Sequence, residues 1–274
     1  MNYPLGGNGF MNSRIKDIGL NQNCDVLILG SSHAYRSFDP RIFNRYHIMC
    51  FNVGSSSQTP IETELLVNKY IDLIKPKTVI YEVYPVTFTE DGVESALDLL
   101  ASDALDVNTL KMVFKLNQIT VYNTFLYAYF RQLLSLNNSF TEQVKKGDDT
   151  YINGGFVERK LSYYHQVKPP KMSKLIFNPN QIAAFENTLT LLQQKGIKVL
   201  LVQAPITYQL YHSFLNRNEI DDYFHSKNNS YYNYNGLNLS NEYFFDADHL
   251  NQKGVEVFNT KLIELLFELN LKPE

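Results

Sequence analysis

The chain has 274 residues, 44% hydrophobic and 19% charged, which argues against disorder and allows one large α/β domain or two small ones. A formal net charge of −3 without a long basic block gives no ground for a nucleic-acid partner, and no apolar run is long enough to span a membrane. Cys24 and Cys50, the two cysteines, either pair or stay as buried thiols, and do not decide a redox compartment.

Residues 1–23 form a polar, Gly- and Asn-rich lead-in with one helical turn near 12–18 and no signal-peptide core. Its abrupt start leads us to expect that a leader or anchor has been removed. A first strand, 25–29, stops at Gly30, and Ser31, Ser32, His33 and Arg36 follow. In an open α/β sheet such a turn lies on the edge where ligands bind. Ser31 and Ser32 are either turn and cap residues or carry a hydroxyl near the unpaired N–H groups of the next helix. Asp39 and Pro40 start a short helix to about residue 45. A second strand, 47–53, runs into Gly54-Ser55-Ser56-Ser57. Thr59, Pro60 and Glu62 then give cap, first helical position and capping-box acid for a helix to about 74. The third strand, 78–83, is apolar except for Thr78 and Glu82.

Residues 91–178 break this rhythm. Helices are expected at 96–105 and 110–134, a polar stretch at 137–155 with a surface turn at 145–149, and an aromatic patch at Tyr163, Tyr164 and His165. We read 91–178 as a mostly helical insertion, either a wall or lid of the cleft or an oligomer contact. The repeat resumes with a helix at 180–195 closed by Gly196 and a strand at 197–202 followed by Gln203. A broken helix at 208–224, a strand at 230–234, the segment FFDADHLN and a closing helix at 255–269 complete the chain. Short apolar strands separated by helices predict a parallel sheet covered on both faces, and with no Pro- or Gly/Ser-rich linker we expect one domain over 1–274.

A hydroxyl nucleophile needs a base, and the base needs an acid to hold its tautomer. His249 stands in a loop with Asp246 and Asp248 within three residues, either a base with its orienting acid or an exposed His beside turn-capping acids. GSSHAY lacks the glycine spacing of a dinucleotide loop and the Gly-Lys-Ser/Thr ending of a phosphate loop. No further ligand pairs with the three at 246–249, so neither a cofactor nor a metal is expected. GSS after the first strand, NVGSSSQT after the second and DxxHLN before the last helix resemble the SGNH (GDSL-type) hydrolase superfamily over 24–258, apart from the insertion. GSSHAYRSFDP is nearest to a bacterial branch that includes DltD-like and polysaccharide O-acetylation-like proteins.

That resemblance implies a flavodoxin-like three-layer α/β/α fold and serine-dependent ester hydrolysis or O-acyl transfer on an acylated carbohydrate or envelope glycan. The alternative is a domain of this fold that binds a glycan or acyl chain without turnover. Matched position by position, the nucleophile falls on Ser32 and the acid and base on Asp246 and His249, leaving Asp248 outside the dyad. Backbone donors to an oxyanion fall on Ser32 and on Ser57 or Gly54. The usual Gly-x-Asn-Asp after the third strand is replaced by Glu82-Val83-Tyr84-Pro85, so a side-chain amide donor is missing and the Tyr84 hydroxyl is its candidate substitute. His33, Arg36 and Gln203 are further candidates to touch substrate, with an Arg36–Asp39 surface pair and a structural Gln203 amide as the alternatives. The branch implies an extracytoplasmic location, periplasmic or membrane-anchored, and membrane-associated partner proteins; a cytoplasmic location and the oligomeric state stay open.

Overall fold

The computed structural model describes residues 9–137 and 139–271; the first eight residues of the lead-in lie outside that range. In chain order the elements are α1 (Met11–Asp17), β1 (Val26–Leu29), α2 (Ser32–Ser37), α3 (Pro40–Asn44), β2 (Cys50–Asn52), α4 (Pro60–Ile74) and β3 (Thr78–Glu82). There follow α5 (Val93–Ser102), α6 (Val107–Leu116), α7 (Ile119–Leu133), β4 (Lys145–Lys146), β5 (Asp149–Ile152) and β6 (Phe156–Arg159). The chain continues through α8 (Pro179–Gln194), β7 (Lys198–Gln203), α9 (Tyr208–Ser213), α10 (Arg217–Lys227), β8 (Tyr231–Asn233) and α11 (Gln252–Glu268).

Five strands form one parallel sheet in the order β2-β1-β3-β7-β8. Counted along this sheet alone the order is 2-1-3-4-5, the flavodoxin-like winding, whose switch point lies between β1 and β3. Alternate side chains feed two cores. Val26, Ile28, Ile80, Leu200 and Val202 pack with Phe38, Ile42, Phe258 and Leu262 from α3 and α11 and their approaches. Leu27, Leu29, Val79, Tyr81 and Leu201 face Val67, Ile71, Phe185, Leu192 and Phe224 from α4, α8 and α10. The expected three-layer α/β/α architecture is therefore the one adopted. Cys24 and Cys50 are both buried free thiols.

Local chemistry places most boundaries. Asp39 caps α3 by accepting from Arg41 N–H, and Thr59 with Glu62 forms the capping box of α4 around Pro60. The insertion departs from expectation in two ways. The single helix expected over 110–134 is broken at Asn117, which takes a left-handed conformation and caps α6. The polar stretch holds a three-stranded antiparallel sheet, β4-β5-β6, with Gly147 at positive φ turning the first hairpin inside the predicted surface turn. Helices α5–α7 pack through Leu99, Leu100, Met112 and Val121 onto Leu65 and Leu66 of α4, whereas β6 lies beside α2.

Candidate active site

The first loop is shaped by a close approach. Gly30 has φ +137°, and a Cβ there would lie 2.8 Å from the Glu82 carbonyl oxygen and 2.9 Å from Glu82 Cβ, so only glycine lets β1 turn against the end of β3. Ser31 then caps α2 by accepting from His33 N–H, which leaves Ser32 as the first residue of the helix, part-exposed. The Ser32 N–H has no acceptor among the described residues. Neighbouring Gly54 packs equally closely: a Cβ on it would meet Ser31 O at 2.8 Å and Gly30 O at 2.9 Å.

The second loop is closed by a bridge between Phe244 and Leu250, with Phe245 N–H donating to His249 O. Asn251 secures it from below: its Oδ1 caps α11 while its Nδ2 reaches the carbonyls of Ser162, Glu242 and Phe244. Inside the loop Asp246 Oδ1 accepts from the N–H groups of Asp248 and His249, at 3.0 and 2.7 Å. This turn folds the carboxylate back under the imidazole.

The two loops meet across the switch point. His249 Nε2 lies 2.8 Å from Ser32 Oγ. Its Nδ1 lies 3.0 Å from Asp246 Oδ2 and 3.1 Å from Asp248 Oδ1. With a proton on Nδ1 donated to Asp246, Nε2 accepts from the serine hydroxyl, the polarity a general base needs. Burial opposes charge on His249, but the bonds to Asp246 and Asp248 outweigh it and raise its pKa to about 9. Burial also opposes the charge on Asp248, yet its bond to His249 holds it well below the usual carboxylate range. Asp248, left outside the dyad by the family pattern, is thus a second acid on the same ring nitrogen.

The imidazole is also flanked by rings. Phe245 lies nearly parallel to it at 5.4 Å, and His33 stacks at 4.8 Å with Tyr84 a further 3.7 Å on. Arg36 and Arg159 sit over the Phe245 ring at 5.4 and 5.1 Å. Such a column restricts ring rotation about the serine.

No protein-family model and no curated protein matches this chain. Three solved structures are similar to it. One is described as an acylhydrolase from Bacteroides fragilis, 11% identical, with 97% of this chain and 99% of that one covered and a TM-score of 0.48. Another is a GDSL-like lipase from Bacteroides thetaiotaomicron, also 11% identical, 87% of each chain covered, TM-score 0.42. A third is a gut microbial diltiazem-metabolizing enzyme, 11% identical, with 88% of this chain and 47% of that one covered and a TM-score of 0.28.

The candidate substrate-binding side chains are not free groups in the cleft. His33 is 2% exposed; burial, then the nearby His249, lowers its pKa to about 3, so it is neutral, with Nδ1 3.3 Å from Ser31 Oγ. Arg36 is half-buried and held in a two-pronged pair by Asp149, at 3.2 and 2.8 Å, instead of pairing with Asp39, which binds Arg41. The Tyr84 hydroxyl is buried beside Asp248. Gln203 is buried, its Oε1 accepting from the Tyr231 hydroxyl at 3.0 Å. Of the two alternatives for the donor in the loop after β2, Gly54 N–H is occupied, donating to Asn52 Oδ1 at 2.9 Å. Ser57 has φ +49° and an N–H without an acceptor among the described residues.

His33, Asp248 and His249 offer nitrogen and oxygen atoms within 4.8 Å of one another. The two imidazoles are stacked at an interplanar angle of 25°, so their in-plane lone pairs run side by side and do not converge on one ion. The sequence reading also passed over two residues that organise the site. Asn52 ties the loop after β2 to α2, with Nδ2 donating to Ala34 O at 2.8 Å. Glu82 is 2% exposed, and neither of its carboxyl oxygens makes a hydrogen bond of ordinary geometry. Burial raises its pKa to about 8, opposed by the N–H groups of Tyr84, Ala204 and Ser31 and by His249. A lone acid in the apolar run TVIYEV was the available signal.

Proposed function

We propose that this chain is a serine ester hydrolase of the SGNH/GDSL type. The observation that carries the reading is the 2.8 Å contact of His249 Nε2 with Ser32 Oγ, while Nδ1 is held by Asp246 and Asp248. Ser32 Oγ attacks the ester carbonyl as its proton passes to Nε2, giving an acyl-serine and, after Nε2 returns that proton, a free alcohol. Water, deprotonated by the same nitrogen, releases the acid and restores the serine. The oxyanion is met by the unpaired N–H groups of Ser32 and Ser57, the first at the positive end of α2. The absent side-chain amide corresponds to about 3 kcal/mol of missing transition-state stabilisation, so turnover of simple esters is modest.

The motif GSSHAYRSFDP supports an acylated carbohydrate of the cell envelope as the ester, with a sugar hydroxyl replacing water when the acyl group is transferred, and an extracytoplasmic site of action. A second reading, binding of a glycan or acyl chain without turnover, is favoured by one observation: Asn52 consumes the Gly54 N–H and no amide stands after β3. Burst-phase hydrolysis of p-nitrophenyl acetate by the natural chain, Ser32→Ala and His249→Ala separates them. We expect a burst that both substitutions abolish; equal background release from all three forms discards the hydrolase and leaves the binding domain.

A further inference from the structure

The outer face of the insertion is apolar where a surface helix is ordinarily polar. Val121, Thr124 and Ala128 form the buried stripe of α7. Directly opposite at helical spacing stand Ile119, Leu126, Phe130, Leu133 and Leu134, each more than half exposed, and Phe114 of α6 adds to them. Among the described residues, eleven of the twenty-five exposed large apolar side chains fall between Val107 and Leu136. A concentration of this kind marks an interaction surface.

The charge of the same segment identifies what it meets. From Val107 to Thr141 there is no Asp or Glu, but there are Lys111, Lys115 and Arg131, in a chain whose acids outnumber its basic residues. Glu64 answers Lys115 at 2.6 Å. Lys111 is exposed, and among the described residues Arg131 bonds only neutral groups, Asn137, the Tyr127 hydroxyl and Leu136 O. Tyr127 and Tyr129 flank the apolar face, side chains suited to headgroup depth. At 15 residues α7 is too short to cross a bilayer, and no described helix is long and apolar enough to do so. A second copy fits poorly, because two acid-free cationic faces brought together repel.

We infer that the outer face of α6 and α7 lies on an anionic lipid surface, Phe130 and its neighbours entering the acyl boundary and Lys111 and Arg131 facing the headgroups. The inference is independent of the ester chemistry.

The chain has no tryptophan, so Phe130→Trp introduces a single reporter. Its emission is expected to shift to the blue with vesicles of phosphatidylcholine containing about one-third phosphatidylglycerol, and much less with phosphatidylcholine alone. The shift should diminish in high salt. In co-sedimentation with the same vesicles, Leu126→Asp/Leu133→Asp should bind about tenfold more weakly or worse, while keeping the melting temperature and ester hydrolysis of the natural chain. An unmoved spectrum with both vesicle types, or equal sedimentation of the aspartate form, overturns the proposal. So does concentration-dependent dimerisation that the aspartates abolish in a chain that ignores vesicles, which assigns the face to a second copy.

Discussion

Two carboxylates on one imidazole nitrogen make a prediction about pH. In the native site His249 rises from the ordinary 6.5 to about 9, which corresponds to about 3 kcal/mol in favour of the imidazolium. The base form of His249 is the one that accepts the Ser32 proton, so kcat/KM should climb with pH and level off only above about 9. Burial opposes the imidazolium, so the two carboxylates together supply more than that net preference; at nearly equal distances from Nδ1, 3.0 and 3.1 Å, each supplies at least about 1.5 kcal/mol. Asp248→Asn should therefore move the midpoint of the rising limb down by at least about one pH and raise the free-base fraction at pH 7 at least about tenfold. Its plateau should fall a few-fold, because the remaining imidazolium is less well stabilised in the transition state. Asp246→Asn should shift the limb similarly but lower the plateau by decades, since Asp246 Oδ1 also accepts from Asp248 and His249 N–H and builds the turn. The measurement is kcat/KM against pH for the natural chain and both variants, with Ser32→Ala as the background. A native limb centred near 6.5, or the same limb in Asp248→Asn, would refute the two-acid account.

Glu82 makes a stability prediction with a definite sign. Its folded pKa of about 8 lies above the ordinary 4.5, so its contribution is complete below about 4.5 and is lost as pH rises through 8. Glu62, also buried and raised to about 8, titrates in the same window. Glu82→Gln should remove about half of the stability lost between pH 5 and 8.5 in urea melts; an unchanged loss would show that Glu82 is ionised in the fold. Gly54→Ala should cost about 1–3 kcal/mol and lower kcat more than KM, because the new methyl displaces the Ser31 and Gly30 carbonyls beside Ser32. Native kcat in that variant would mean that the loop yields without moving the serine.

What could be read from the sequence was what neighbouring residues decide among themselves. Thr59, Pro60 and Glu62 define a helix start without help from the rest of the chain, and the turn at Gly30 follows from an apolar run ending in glycine and two serines. Asp246 and His249 are three residues apart, and their contact is local. The features that escaped are settled by distant partners. Asp149 looks like part of a solvated charged turn until β5 brings it to Arg36, 113 residues away. Asp248 is drawn to Nδ1 by a loop whose closure depends on the bridge between Phe244 and Leu250. The break at Asn117 was a competition between an apolar period that continues and one residue that tolerates a left-handed backbone.

Ser32 and His249 are 217 residues apart, and Asn259 of α11 binds Asp39 N–H and Ser37 O beside α2 across a similar interval. Contacts of that span form only after the entropy of closing nearly the whole chain has been met. A partly folded chain can therefore hold its helices, and even the β1–β3 core with the serine loop on it, while the hydroxyl has no base. On the proposed chemistry, the serine gains its base only once the 244–250 loop and α11 are in place. On that same chemistry, a misfolded or clipped copy that has lost α11 would be a chain with an unarmed serine.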